Sequence, residues 1–556
     1  MKNQKSLWVL FTLLVTLFLA ACSGGDSNSG DSGEGEAEGS ESGSAQEITV
    51  SAKSDIATMD PSLITDSVSF QWAGETLEGL YRLDKDGNLS EGIATNSSVS
   101  DDGLTWTFEL REDAEWSNGD PVTANDFVYA WQRAVDPETG SEYGPYFLGG
   151  VIKNAEAIAN GEAEVDELGA KAADDYTLEV ELEKPIPYFE SMTVFGTFMP
   201  INEKFAEEQG DKFGTEAEAT LSNGPFEMTE WNSGEGWTVE KNDSYWDADT
   251  VQLDKINAQI IKEISTGVNL YESGQLDQTE LNAEFVDEYS TTEDFNVAEK
   301  PYLYFFKFNQ EANEALANVN VRKAISMAID RESLVDVILN DGSVPAEGYV
   351  PSNFVNMPDS EEDFRDAQGP LVKTDVEQAK ELWATALEEL GTDSVEIELL
   401  GDDTGTSKNV LAYYKDQLET NLEGLTINLM EVPFNERVER DQNSEFEIEA
   451  ATWGPDYVDP NTYLNMYLTG GQNNNMNYSS DEYDELIEKA NNEYAQDPQK
   501  RFETFLEAER LLLEEDAAVA PMYQDSKAQL FRPSIKGVFT TATGPELEFK
   551  WASVEE

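Results

Sequence analysis

The feature that most limits what this chain can fold into is an alternation of strand and helix patterns between residues 374 and 432. The pattern predicts a helix ending at Leu390, a strand over Val395 to Leu400, a helix carrying Leu411, Tyr414 and Leu418, and a strand over Leu425 to Val432. Thr374 and Glu377 have the spacing of a capping box, and Gly391 marks the end of the first helix. This alternation favours an α/β lobe.

The length of the chain points to more than one domain. Its 556 residues exceed what a single hydrophobic core usually serves, so two or three domains are expected. Hydrophobic residues make up 39% of the chain and aromatic residues 10%, which is ample for buried cores. The sequence therefore predicts a globular α/β protein.

Charge and the absence of histidine exclude several classes of function. The chain has 35 Lys and Arg against 113 Asp and Glu, a formal net charge of −78, whereas nucleic-acid binding needs the opposite sign. Without histidine, Ser-His-Asp catalysis, histidine-ligated zinc and imidazole acid–base chemistry are unavailable. We expect no cofactor, no metal and no enzymatic activity.

The first 46 residues predict export and anchoring. Lys2 and Lys5 precede an apolar run that is too short for a typical membrane span and closes on Ala21-Cys22. Residues 1–21 are predicted to be a lipoprotein signal peptide, with lipid attached to Cys22, the only cysteine; an ordinary signal peptide is the alternative. Residues 22–46, rich in Gly, Ser and acids, predict a flexible tether.

The stretch from 451 to 490 has the composition of a binding site. Asp456 lies between Trp453 and Tyr457, so aromatic rings would exclude water and strengthen any charge-assisted hydrogen bond to its carboxylate. A loop rich in Gly and Asn follows, and then Ser479 and Glu482 have the spacing of a capping box. The alternative is that the rings belong to the core and Asp456 is a turn residue.

Several blocks resemble one family in the right order. They are W-x-x-D-Y-x-x-P around Asp456, the phrase YSSDEYDELI after it, and TWTFELREDAEWSNGDPVTANDFVYAWQR, in which Thr123 caps a helix that buries Phe127, Ala130, Trp131 and Ala134. These blocks resemble the oligopeptide-binding subunits of ABC importers, the family 5 extracellular solute-binding proteins. The resemblance covers the chain from Glu47 onward.

The resemblance implies a two-lobed fold like that of periplasmic binding proteins, with mixed sheets, a discontinuous first lobe and an extra inserted domain. Lobes that the chain crosses twice can close about a hinge and bury a ligand between them. The implied bounds are 47–82, 223–300 and 534–556 for the first lobe, 83–222 for the inserted domain, and 301–533 for the second lobe.

The resemblance also implies the residues of a peptide site. Asp456 would pair with the ligand's α-ammonium, and aromatic side chains would line its pockets. The implied contacts are Trp453, Tyr457, Tyr143, Ser67, Val68, Asn282 and Phe305, although core packing is the preferred interpretation for Phe305. Some relatives carry a basic residue three positions before the tryptophan for the peptide's carboxylate, and here that position is Ala450.

The function implied is capture of oligopeptides at the outer face of the cell membrane and delivery to the permease and ATPase subunits of an ABC importer. We expect a monomer held to the membrane by its lipid. Three alternatives within the family are dipeptides, signalling peptides and another small solute such as a metal chelate, although nickel is disfavoured without histidine. A carboxylate-based surface glycosidase is a distant alternative.

Overall fold

We describe residues 45–471 and 473–555 of a computed structural model, which form one compact unit. The predicted signal peptide, Cys22 and all of the tether except Ala45 and Gln46 lie outside the described residues. Within the described part of the chain, no helix combines the length and apolarity that crossing a membrane requires.

An 11-stranded mixed sheet runs through both lobes. Val344–Pro345 pairs with one of its central strands, outside the main path. Across the sheet the other strands are Leu425–Val432, Val395–Asp402, Ile448–Trp453, Phe295–Phe308, Val519–Phe531, Gln278–Glu280, Glu47–Ala52, Lys255–Ile260, Gly236–Lys241 and Phe226–Asn232.

Two long antiparallel strands, Phe295–Phe308 and Val519–Phe531, carry the chain between the lobes. The first half of Phe295–Phe308 pairs with the second half of Val519–Phe531, which in turn pairs with the first-lobe strand Gln278–Glu280. The second half of Phe295–Phe308 lies between the first half of Val519–Phe531 and the strand Ile448–Trp453. The register shifts between Glu299 and Leu303, so the ladder is irregular at the crossing itself. A local irregularity in two otherwise continuous strands is where a hinge between lobes would bend.

The inserted domain has its own four-stranded antiparallel sheet, ordered Ala94–Val99, Thr105–Leu110, Thr177–Glu181 and Ala170–Asp174. The helix Ala124–Val135 begins as predicted at Thr123, whose N–H donates to the Asp126 carboxylate over 2.7 Å. The four apolar residues predicted on its buried face, Phe127, Ala130, Trp131 and Ala134, are all buried. This separate core supports a distinct inserted domain.

The strand–helix–strand prediction for the second lobe is confirmed. Val395–Asp402 and Leu425–Val432 pair in parallel, and the helix Gly405–Asn421 connects them. The helix before them spans Val376–Leu390, and Gly391 ends it at φ 69°, which favours glycine. Its predicted cap is wrong by one residue, because Asp375 rather than Thr374 accepts from the third backbone N–H, that of Gln378.

The second predicted capping box is also shifted by one residue. Ser480, not Ser479, accepts from the N–H of Tyr483 and begins the helix Asp481–Glu488. The remaining longer helices are Ser67–Thr76, Glu203–Gln209, Ile264–Glu272, Ala283–Tyr289, Val319–Met327, Phe434–Gln442 and Pro498–Arg510. Shorter helices that bear on the site are Tyr143–Leu148, Phe189–Met192 and Asn461–Leu464.

Candidate functional site

Asp456 lies between the lobes on the loop that follows the strand Ile448–Trp453. Its Oδ2 accepts a hydrogen bond from the Tyr146 hydroxyl over 3.0 Å, and its N–H donates to Thr462 Oγ1 over 3.0 Å. Burial raises the pKa of Asp456 to about 6, against the lowering effect of the Tyr146 hydrogen bond. Among the described residues Asp456 has no ion-pair partner, so its charge is available to a ligand cation.

The helix Tyr143–Leu148 brings two aromatic rings to this carboxylate from the inserted domain. Tyr143 is half-buried and stacks on Phe70, with ring centroids 5.8 Å apart and planes 8° apart. Tyr146, three residues further on, is 49% exposed although its hydroxyl bonds to Asp456. Sequence reasoning named Tyr143 and missed Tyr146, although their spacing places both on one face of a helix.

Tyr457 lies beside Asp456, but the inserted domain covers one face of its ring. It stacks on Tyr188 with centroids 4.3 Å apart and planes 10° apart, and Asn461 Nδ2 donates to both hydroxyls over 3.0 Å. One residue on, the Val458 N–H donates to Ser191 Oγ over 2.7 Å. Tyr457 therefore helps to hold the second-lobe loop against the inserted domain.

Trp453 is half-buried at the end of its strand, and its Nε1 donates to the carbonyl of Thr462 over 3.1 Å. Thr462 thus holds both Trp453 and the backbone of Asp456. The next residue, Gly454, lies against the ring of Tyr302, where a Cβ would meet Tyr302 Cε1 at 2.4 Å. Only glycine permits this approach, which leaves Tyr302 45% exposed beside the Asp456 loop.

Ser67 and Val68 form the first turn of the helix Ser67–Thr76. The Asp66 carboxylate accepts from the N–H groups of Val68 and Ser69 over 3.0 and 2.9 Å, so the N–H of Val68 is already bonded. Both predicted residues line a cavity of about 80 Å³, together with Val50, Ser51, Ala52, Lys53, Gln71, Trp72, Gln278, Glu280, Ala298, Lys527, Gln529, Glu546, Leu547 and Phe549.

The other two predicted contacts lie elsewhere. Asn282 is exposed before the helix Ala283–Tyr289, where its carbonyl accepts from the Phe285 N–H, and it does not line the cavity. Phe305 is 1% exposed and packs edge-on against Tyr349 at 5.0 Å in the second-lobe core. The contact predicted for Phe305 is therefore replaced by the core alternative, because both faces of its strand are packed there.

Metal chemistry has no support from the arrangement of acids. Within residues 45–471 and 473–555, no group of three or more Asp, Glu or Cys side chains could hold a metal ion. What the cleft offers instead is a half-buried carboxylate, four tyrosines near it, and charged side chains on the crossing strands.

Two lobes joined by two strands, with an aromatic-lined carboxylate between them, are the architecture of a solute-binding protein. The family model of the bacterial extracellular solute-binding proteins, family 5 Middle, matches residues 88–475. The chain belongs to this family.

Three relatives illustrate the similarity. The chain is 34% identical over 552 residues to the dipeptide-binding protein DppE of Bacillus subtilis, covering 99% of each chain. The substrate-binding domain of an oligopeptide ABC transporter from Bacillus anthracis is 45% identical at a TM-score of 0.73, with 92% of this chain and 99% of that one covered. Listeria monocytogenes OppA bound to peptide is 39% identical at a TM-score of 0.72, with 92% of this chain and 100% of that one covered.

Proposed function

We propose that this protein captures peptides between its lobes and delivers them to the permease and ATPase subunits of an ABC importer. The observation that carries the proposal is Asp456, a half-buried carboxylate whose pKa burial raises and which has no cationic partner among the described residues. A peptide's α-ammonium supplies the missing charge, and the rings of Tyr143, Tyr146 and Tyr302 exclude water around the pair.

An extended peptide would gain affinity that depends little on its sequence. Backbone groups at the cleft bond to the main chain of any peptide, whereas hydrated pockets leave its side chains loosely specified. Closure of the lobes about the irregular crossing of their two strands would then bury the ligand. The cavity of about 80 Å³ beside Ser67 and Val68 is below the roughly 300–1,000 Å³ of pockets that enclose drug-sized ligands, so this part of the cleft would have to open for such a ligand to enter it.

Dipeptides are the second candidate ligand. The first of the relatives above is named as a dipeptide-binding protein. Signalling peptides use the same backbone chemistry and are a further alternative.

The proposal can be tested by identifying the ligands that co-purify with the protein and by measuring its affinity for peptides. Mass spectrometry of material extracted from the purified protein should find peptides, and calorimetry with a series of two to six residues should find saturable binding. Glycans of a size similar to these peptides should neither bind to the protein nor be cleaved by it. A protein that carries no peptide and binds none of the series would contradict the proposal.

Anchoring through Cys22 is a separate proposal, supported by the signal pattern that precedes it. At least two acyl chains are needed for stable anchoring, and the lipoprotein modification supplies them. Cys22→Ser should release the protein from membranes or leave an uncleaved precursor, as fractionation and mass measurement would show. Ser23→Ala is the matched control and should stay processed and membrane-bound. A Cys22→Ser protein that remains processed and fully membrane-bound rules the lipid anchor out.

A further inference from the structure

A cavity of about 480 Å³ lies in the second lobe, outside the cleft between the lobes. It forms where the helix Val319–Met327 meets the start of the helix Val376–Leu390 and the segment 513–521, which leads into the second crossing strand. Its volume falls within the roughly 300–1,000 Å³ of small-molecule pockets. Among the described residues, none that lines it also lines the cavity beside Ser67 and Val68.

The strand pairing places this second-lobe cavity away from the peptide cleft. Val519 lines the cavity and pairs with Lys307. At the other end of the same strand, Leu303 pairs with Trp453, which precedes the Asp456 loop. The four residues from Leu303 to Lys307 span roughly 13 Å at a rise of about 3.3 Å per residue. A ligand in the cavity would therefore not compete for space with a peptide held at Asp456.

The cavity has an apolar floor and a polar mouth. Leu513, Ala517 and Val519 are buried in its floor, whereas Lys373 and Glu514 are exposed at its mouth. Burial of apolar ligand surface against such a floor is favourable, and a charged group there would be costly. A ligand that fills the cavity must therefore be largely apolar and carry its polar group at one end.

Backbone hydrogen bonds fix the wall between the two helices. The Asp375 N–H donates to the Met327 carbonyl over 3.0 Å. The N–H groups of Leu371 and Val372, which line the cavity, donate to the Glu347 carbonyl over 2.8 and 3.1 Å. Small-molecule sites are usually preformed in this way. The cavity is thus held open by the fold itself.

Two hydrogen-bond donors in the wall lack an acceptor. Lys323 and Ser326 are three residues apart on the helix Val319–Met327, so they share one face, and both line the cavity. The Lys323 side chain is half-buried, and its ammonium group makes no ion pair or hydrogen bond within residues 45–471 and 473–555. Ser326 Oγ accepts from Arg331 Nη2 over 3.2 Å, which leaves the hydroxyl proton for a further acceptor.

Arg331 adds a positive charge behind this wall. It is buried, and its guanidinium donates to the carbonyls of Pro521, Ser326 and Ile329 and to the Ser326 hydroxyl, not to a carboxylate. Burial lowers the pKa of Arg331 to about 10. Because a charged donor strengthens a hydrogen bond, Arg331 makes the Ser326 hydroxyl a better donor to an anion.

The acids at the rim of the cavity leave room for one ligand charge. Asp375 contacts Lys373, with 3.3 Å between Nζ and Oδ2, and the exposed Glu389 accepts from Asn320 Nδ2 over 3.0 Å. Glu514 is the only acid among the described residues that line the cavity, and it is exposed. A ligand with one negative charge can pair with the cations of the wall, whereas a second charge would meet the Glu514 carboxylate.

We propose that this second-lobe cavity is a second ligand site, which takes a small apolar molecule with a single carboxylate. The carboxylate would accept hydrogen bonds from the Lys323 ammonium and the Ser326 hydroxyl, and the apolar body would cover Leu513 and Val519. A medium-chain fatty acid has this chemistry. The inference goes beyond the peptide-binding function proposed above and does not depend on it.

The test compares octanoate with 1-octanol and octylamine, which share its apolar chain. The titrations use about 0.15 M salt, where a Debye length near 8 Å screens the net charge of −78. Octanoate should bind about 10- to 100-fold more tightly than octanol, as expected for a charge-assisted contact. Octylamine should bind more weakly than both, because its ammonium would face Lys323.

NMR of protein labelled with ¹³C-methyl methionine locates the ligand and measures its affinity. Met327 lines the cavity, so octanoate should shift its methyl signal, which Met327→Leu assigns. Met199, which is buried in the inserted domain, is the internal control, and its signal should stay in place.

Variants separate the contribution of charge from that of the apolar wall. Lys323→Gln should lower the affinity for octanoate to about that for octanol and leave octanol binding as before. Leu382→Ser, in the apolar wall, should weaken the binding of both ligands alike. Lys408→Gln removes an exposed lysine from the helix Gly405–Asn421 and is the control, which should change neither affinity. Thermal unfolding would show that each variant is folded.

Several results would overturn the second site. They are an unshifted Met327 signal, equal affinity for octanoate and octanol, and octanoate binding that Lys323→Gln leaves unchanged. Displacement of octanoate by a saturating peptide would also overturn it, because octanoate would then lie in the cleft. A protein that binds no peptide would contradict the proposed function but leave this test intact, since Met327 reports on octanoate alone.

Discussion

Asp456→Asn should weaken peptide binding by about 2–5 kcal/mol, because one member of a sequestered ion pair would lose its partner. The substitution nearly keeps the shape of the side chain and removes its charge. N-acetylation of the peptide removes the other charge, so the two changes form a thermodynamic cycle that calorimetry measures. Each change alone should cost this much, and together they should cost well below their sum.

The same pair predicts a pH dependence. Because the pKa of Asp456 is raised to about 6 in the empty protein, a proton competes with the ammonium below that pH. Affinity should therefore fall about tenfold between pH 7 and pH 5 in the wild type and stay level in Asp456→Asn. The exposed Asp481→Asn is a matched control that should bind like the wild type. If the losses of affinity from Asp456→Asn and from N-acetylation of the peptide are additive, Asp456 does not bind the peptide's α-ammonium. Equal binding of acetylated and free peptides would lead to the same conclusion.

Arg501→Met should lower the free energy of unfolding by about 3–5 kcal/mol. The Arg501 guanidinium makes two hydrogen bonds to the Asp459 carboxylate, at 2.5 and 2.8 Å, and both side chains are buried. It also lies over the ring of Tyr188 at 5.5 Å, so it supports the stack that holds the Asp456 loop. Removing it leaves the Asp459 charge buried and unpaired.

Lys500→Met provides the control for Arg501→Met, because Lys500 is its neighbour and pairs with Asp497 at the exposed surface. That change should leave the free energy of unfolding almost unchanged, as is usual for exposed pairs. The double variant Arg501→Met/Asp459→Asn should recover part of the loss, since no buried charge is left unpaired. Denaturant unfolding followed by tryptophan fluorescence would measure all three, and equal losses in the Lys500 and Arg501 variants would contradict the argument.

Local pattern was sufficient for much of the fold. The parallel pair around residues 395–432 and the helix after Thr123 follow from periodicity and capping residues that lie close together in sequence. The caps at Asp375 and Ser480 were misplaced by one residue because two acceptors stand side by side at each site. Sequence pattern does not choose between neighbouring acceptors, since the choice depends on how the preceding loop enters the helix.

Only part of the candidate site could be predicted from the sequence. Asp456 and Trp453 could be found because they stand together in a short motif, and Tyr143 came from resemblance. Tyr188 carries no local signal, since its partner Tyr457 lies more than 200 residues away in the chain. Phe305 was named as a possible contact although core packing was preferred, because a dense run of aromatics on a central strand does not reveal which rings remain uncovered.

The first-lobe half of the sheet has a consequence for how this chain reaches its native state. Glu47 pairs with Lys255, Gln278 pairs with Phe531, and the Gln46 side chain bonds to the backbone of Val554. Contacts of such long range form late, because loop closure must precede them, whereas the inserted four-stranded sheet closes within residues 94–181. The inserted domain can therefore close from a short stretch of chain, whereas the first lobe is complete only when residues near both ends of the described chain have come together.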